Sequence, residues 1–140
     1  MSNSLFHKAV FAFTILFQLF IFSVPSQAQD LVYKRFLGKW VTGPTRDNYL
    51  KIDENFIQAF FIIEDLDGIP YVRMESPDAD AFNMPAEEAT VSGEKIKIYF
   101  SPLNAVFKGK INKGNDHLTG TLAFLGKTVS MSLMKIIQEQ

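Results

Sequence analysis

EKIKIYF (residues 94–100) and AVFKGKI (residues 105–111) decide the fold. In the first, Ile96, Ile98 and Phe100 alternate with Lys95, Lys97 and Tyr99; in the second, Phe107 and Ile111 alternate with Lys108 and Lys110. Successive side chains of a strand point to opposite faces, so each stretch reads as a half-buried β-strand with one apolar face and one lysine face. Downstream, NKGND (residues 112–116) is a turn, and HLTGTLAFLG and TVSMSLMKII form a hairpin around Gly126. Upstream, YLKID alternates, FIQAFFIIE is β-branched and aromatic, and DLDG (residues 65–68) is a hairpin signal. IPYVRME follows, with Pro70 near its start, where a strand tolerates it. DLVYKRFLGKW opens with apolar spacing (Leu31, Val32, Phe36) that fits one or two helical turns and ends at Gly38.

About eight or nine short strands, with turns every eight to twelve residues, predict an all-β antiparallel sandwich or up-and-down barrel. No helical period is long enough for a crossover between parallel strands. Closure into a barrel removes exposed edges, which favours the barrel. RMESPDADAFNMPAEEATV (residues 73–91) holds the one long connection. Pro77 fixes φ at its first turn position, and Ser76 or Asp78 is placed to cap a short helical turn. Phe82 and Met84 are apolar where a connection should be polar, so residues 76–85 are expected to fold back as a lid over one barrel mouth.

The first 28 residues have the three-part form of a secretory signal. Lys8 gives a positive start, AVFAFTILFQLFIFSV (residues 9–24) is apolar, Pro25 breaks it, and Ser26 and Ala28 suit a cleavage site. A membrane anchor is the alternative, but a spanning helix wants about 20 apolar residues, more than this run supplies. The expected division is a signal peptide, 1–28, and one domain, 29–140, exported to a bacterial periplasm or the medium. That domain keeps all 15 acids and 13 of the 14 bases, a formal charge of −2, so no net basic excess suits nucleic acid or an anionic membrane. With no cysteine, there is no disulfide and no lipid anchor on a thiol, and stability must come from the apolar core.

FLGKW (residues 36–40) looks like the Gly-x-Trp opening of lipocalin-type barrels. The longer series Ser76-Pro77-Asp78, Met84-Pro85, Phe107-Lys108-Gly109-Lys110-Ile111 and Leu118-Thr119-Gly120-Thr121 resembles a lipocalin-like secreted module found in front of bacterial α/β-hydrolase (esterase or peptidase) domains. The likeness runs over about residues 36–136, and departs from the module at Leu122, Ala123 and Phe124, where Trp and Gln are usual. The resemblance implies the barrel fold. It further implies that Trp40 closes the bottom beneath a late cation, Lys135, with Arg35 as a local rival. It carries over no catalytic residue, since the family's catalysis lies in the hydrolase domain.

Among the residues themselves, His117 is the one histidine after residue 28, no Gly-x-Ser-x-Gly occurs, and no His/Cys set could hold a metal. The acids of EDLDG (residues 64–68) read as a hairpin tip, and Glu75, Asp78 and Asp80 as capping and solvation. The expectation is therefore a protein without enzymatic activity, cofactor or metal. The interior is the remaining site: Phe60, Ile62, Tyr71, Ile98, Phe100, Phe107, Leu122, Phe124, Met131 and Leu133 could line it, with Phe82 and Met84 at the lid. An eight-stranded barrel either fills with side chains or holds one small ligand. Two functions follow: binding a small apolar or amphipathic molecule, or serving as an interaction module beside a separately encoded hydrolase. A cavity favours the first, and a filled barrel with an apolar outer patch favours the second.

Overall fold

The computed structural model describes residues 32–45 and 48–137. The expected signal peptide, its cleavage point and Leu31 lie outside the described residues. A 3₁₀ turn, Tyr33–Phe36, leads into eleven strands: β1 (Gly38–Val41), β2 (Tyr49–Ile52), β3 (Asn55–Phe56), β4 (Phe60–Leu66), β5 (Ile69–Ser76), β6 (Ala81–Pro85), β7 (Glu88–Ser92), β8 (Lys95–Phe100), β9 (Ala105–Ile111), β10 (His117–Phe124) and β11 (Lys127–Ile136).

Nine of them form one curled antiparallel sheet, a half-barrel, in the order β6-β5-β4-β1-β11-β10-β9-β8-β7. Read around the curl, the neighbours follow the chain and return to β1, the pattern of an up-and-down meander. β2 continues the edge of β11 beyond β1 (Met131 opposite Leu50), and the β2–β3 hairpin is an excursion. The edge strands β6 and β7 are joined by Ala86 and Glu87. The Ala86 amide donates to the Val72 carbonyl of β5 and the Glu87 amide to the Tyr99 carbonyl of β8, both at 2.8 Å, so this link touches both sides of the seam.

Tight turns set the register. Asp67 and Gly68 both have positive φ (52° and 84°), as a two-residue hairpin requires. The interior is filled by large side chains, among them Phe36, Trp40, Phe61, Ile63, Ile98, Phe100, Phe107, Leu118 and Leu133. Phe61 sits against Phe100 and Phe107, with ring centroids 5.7 and 5.1 Å away.

Several expectations need correction. FIQAFFIIE is two strands, because Ile57–Ala59 turn away to bond Thr42: the Thr42 hydroxyl donates to the Ile57 carbonyl and accepts from the Ala59 amide, each at 2.8 Å. Within β4 it is Phe61 and Ile63 that face the core, while Phe60 and Ile62 are half-exposed on the outside, as is Tyr71 on β5. The pairing of β1 with β4 fixes this, since buried Trp40 lies opposite Phe61. No lid forms from residues 76–85. A 3₁₀ turn, Pro77–Ala79, leads into β6, which pairs with β5. Asn83 at φ 50° and a register shift between Met74 and Ser76 mark a bulge, and Phe82 is left 64% exposed while Met84 packs on the core. Neither Ser76 nor Asp78 caps that turn. Both grip Gln58 instead: the Ser76 hydroxyl donates to its carbonyl at 2.8 Å and its amide donates to Asp78 at 2.7 Å.

Candidate functional site

On β1, Trp40 is fully buried and its indole N–H donates to the Phe36 carbonyl at 2.8 Å. Lys135 Nζ stands 4.8 Å from the indole centroid and donates to the Arg35 carbonyl at 3.0 Å. Gly38, at φ 129°, lies under the Lys135 stem, in a backbone conformation that favours glycine. Burial pushes the Lys135 ammonium below its ordinary pKa, opposed by the Asp116 carboxylate. Arg35 takes no part over the ring; its Nε–H donates to Asn115 at 2.8 Å.

The expected interior site separates into parts that do not meet. Ile98, Phe100 and Phe107 are fully buried, Phe124 is half-buried against the core, and Phe60, Ile62, Tyr71 and Phe82 face outward. None of these residues, nor Met84, lines the principal clefts of the described residues, which all open on the surface. His117 is half-buried on the outer face, with Nδ1 3.1 Å from Asp116. Asp116 is held below its ordinary pKa of 3.8, first by the Asn112 amide at 2.6 Å, then by His117. No group of three or more potential metal ligands occurs among the described residues.

The outer face holds two features that single strands did not reveal. Across β11, β1 and β4, two rows lie side by side: Met134–Val41–Phe60 and Ile136–Lys39–Ile62. All five apolar members are half-exposed or exposed, and Lys39 Nζ lies 4.5 Å over the Phe60 ring. Across β7 to β11, two outward rows run parallel: Ser92–Lys95–Lys110–Thr119–Ser132 and Thr90–Lys97–Lys108–Thr121–Ser130. The row between them, Ile96–Gly109–Gly120–Met131, sinks to the floor. The result is a trough with clefts of about 490 and 650 Å³ that share Thr119 and Gly120.

No family model matches this chain, and no curated protein aligns with it. The signal for both outer surfaces lay in register, which pairs Lys95 with Lys110 and Val41 with Phe60.

Proposed function

We propose that the protein is an exported, non-enzymatic interaction module whose outer face on β11, β1 and β4 receives a protein partner. The observation that carries this reading is the apolar patch of Met134, Ile136, Val41, Phe60 and Ile62 on a strand trio whose inner face is already filled. Half-exposed apolar side chains in contiguous rows lose water on association, which is the usual driving force of a protein interface. The reading of a small apolar ligand inside the barrel finds less support, because large side chains occupy that space. The partner class is a separately encoded α/β-hydrolase, on the resemblance of residues 36–136 to the module that precedes such domains.

The test is native mass spectrometry of the protein exported by its own host, wild type beside Phe60→Asp with Ile62→Asp. A heteromeric mass that vanishes in the double variant, with the chain beginning at Gln29, supports the reading. A wild-type mass of the monomer alone, a homo-oligomer, or a complex that survives the substitution overturns it.

A further inference from the structure

Two pairs of lysines stand directly opposite one another on adjacent strands, Lys95 with Lys110 and Lys97 with Lys108. Like charges in cross-strand opposition destabilise a sheet. Strand rise and spacing root the four stems at the corners of a rectangle of about 5 by 7 Å. Glu94, 3.5 Å from Lys110, is the one ion-paired acid among them; Lys95, Lys97 and Lys108 have no ion pair among the described residues. The chain as a whole carries a formal charge of −1, so this is a local concentration of positive charge rather than a general basic excess. Fold stability does not call for it.

The trough has a second chemistry further along. Beyond the lysines, its walls are Thr119 and Ser130, with Tyr49 and His117 at the far side. The floor is the backbone of the middle row, whose side chains turn into the core. A Cβ on Gly120 would come within 1.9 Å of the Lys108 carbonyl oxygen, and one on Gly109 within 2.5 Å of the Phe107 ring. None of the large exposed apolar residues lies in either wall, so nothing here would enter a bilayer. Nor does a ladder of aromatic rings line it, as bases of a single-stranded nucleic acid would want.

We propose that this trough binds an acidic oligosaccharide, the sulfate, phosphate or carboxylate groups lying between the four lysines and the neutral hydroxyls along Thr119, Ser130 and Tyr49. Charge complementarity holds the anionic end. Alternating hydroxyl donors and acceptors suit sugar hydroxyls, and the open ends of the trough admit a chain. The site adjoins the apolar face along β11 but shares no residue with it and does not depend on it.

The experiment is fluorescence-anisotropy binding of labelled dextran sulfate at 150 mM salt, with neutral dextran, inorganic polyphosphate and anionic vesicles as competitors. Lys97→Gln with Lys108→Gln should weaken binding about tenfold, as neutralising two of four facing cations implies. The same charge change elsewhere, Lys39→Gln with Lys51→Gln, should leave binding within about twofold at this ionic strength. Thr119→Val with Ser130→Ala should weaken dextran sulfate by about threefold and polyphosphate not at all, since only the sugar meets the hydroxyl wall. Unchanged melting temperatures certify the variants. Equal loss in the two lysine pairs, no effect of the hydroxyl variant, or displacement by vesicles or polyphosphate at lower concentration than by unlabelled dextran sulfate overturns the proposal.

Discussion

Replacing Trp40 tests the packing and polar contacts that hold β1 to the core. The indole is fully buried, donates to the Phe36 carbonyl at 2.8 Å, and lies 4.8 Å beneath the Lys135 ammonium. Truncation to Ala removes a large buried ring, at roughly 3–5 kcal/mol. It also leaves the Phe36 carbonyl without its donor, roughly 1–3 kcal/mol more where water does not enter. A single domain holds only about 5–15 kcal/mol in total, so Trp40→Ala should be marginal or unfolded. Trp40→Phe is the informative variant. It keeps most of the apolar volume and loses the N–H bond and part of the cation–π contact, so about 2 kcal/mol should go.

Urea titration with tryptophan-independent detection reads this directly. With a slope of about 1–3 kcal/mol per molar, the midpoint should fall by roughly 1–2 M with the slope unchanged. Lys135→Met keeps the stem over Gly38 and removes the charge, so it should cost roughly 0.5–2 kcal/mol in wild type and less in the Trp40→Phe background. A Trp40→Phe midpoint equal to wild type, or strict additivity of the two substitutions, would refute the geometry.

Gly120→Ala should destabilise by at least about 1–3 kcal/mol, because its Cβ would collide with the Lys108 carbonyl and the β9–β10 ladder must open; a thermal melt matching wild type would contradict this. Phe82→Ser should change stability by less than about 0.5 kcal/mol, whereas Met84→Ser should lower it measurably, since Phe82 is exposed and Met84 packs on the core. Equal effects of the two would restore a lid. The folded-state pKa of Asp116 is depressed, so its contribution is present above the unfolded value and is lost as pH falls through the folded one. Asp116→Asn should therefore be less stable than wild type at neutral pH, and the difference should shrink as denaturation is repeated below about pH 3.8.

What could be read from the sequence depended on how each strand meets water. β8 and β9 have one face in the core and one in solvent, so their alternation places Ile98, Phe100 and Phe107 correctly inside. β4 is apolar on both faces, Phe60 and Ile62 outside and Phe61 and Ile63 inside, so no alternation exists to choose between them. Pairing with β1 makes that choice, and pairing is not written locally. β6 is concealed by its bulge: Asn83 breaks the period of two, and Ser-Pro-Asp reads as a connection when its polar atoms in fact anchor Gln58. The lysine faces of β8 and β9 are each visible alone. That they face each other, residue for residue, follows only from the register of their hairpin.

The filled interior and the active-looking exterior share one cause. The domain has no disulfide to offset an empty core. A ligand cavity of about 300 Å³, left unfilled at roughly 24 cal/mol per Å³, would cost about 7 kcal/mol, comparable with the whole stability of a domain this size. Phe61, Phe100 and Phe107 occupy that volume and stabilise it by edge-on and tilted contacts. Recognition of the kind proposed would use what the meander leaves outside. The outer face offers it at little structural expense, because outward positions contribute least to folding and tolerate a lysine quartet or an apolar row. The two surfaces have no residue in common, although they meet on β11, where Ser130 and Ser132 belong to the trough and Met134 and Ile136 to the apolar rows. A protein bound to the apolar rows would then stand beside whatever the trough holds. That arrangement predicts that dextran sulfate and the partner bind without competing, and mutual exclusion in a single titration would show that one of the two surfaces has been misread.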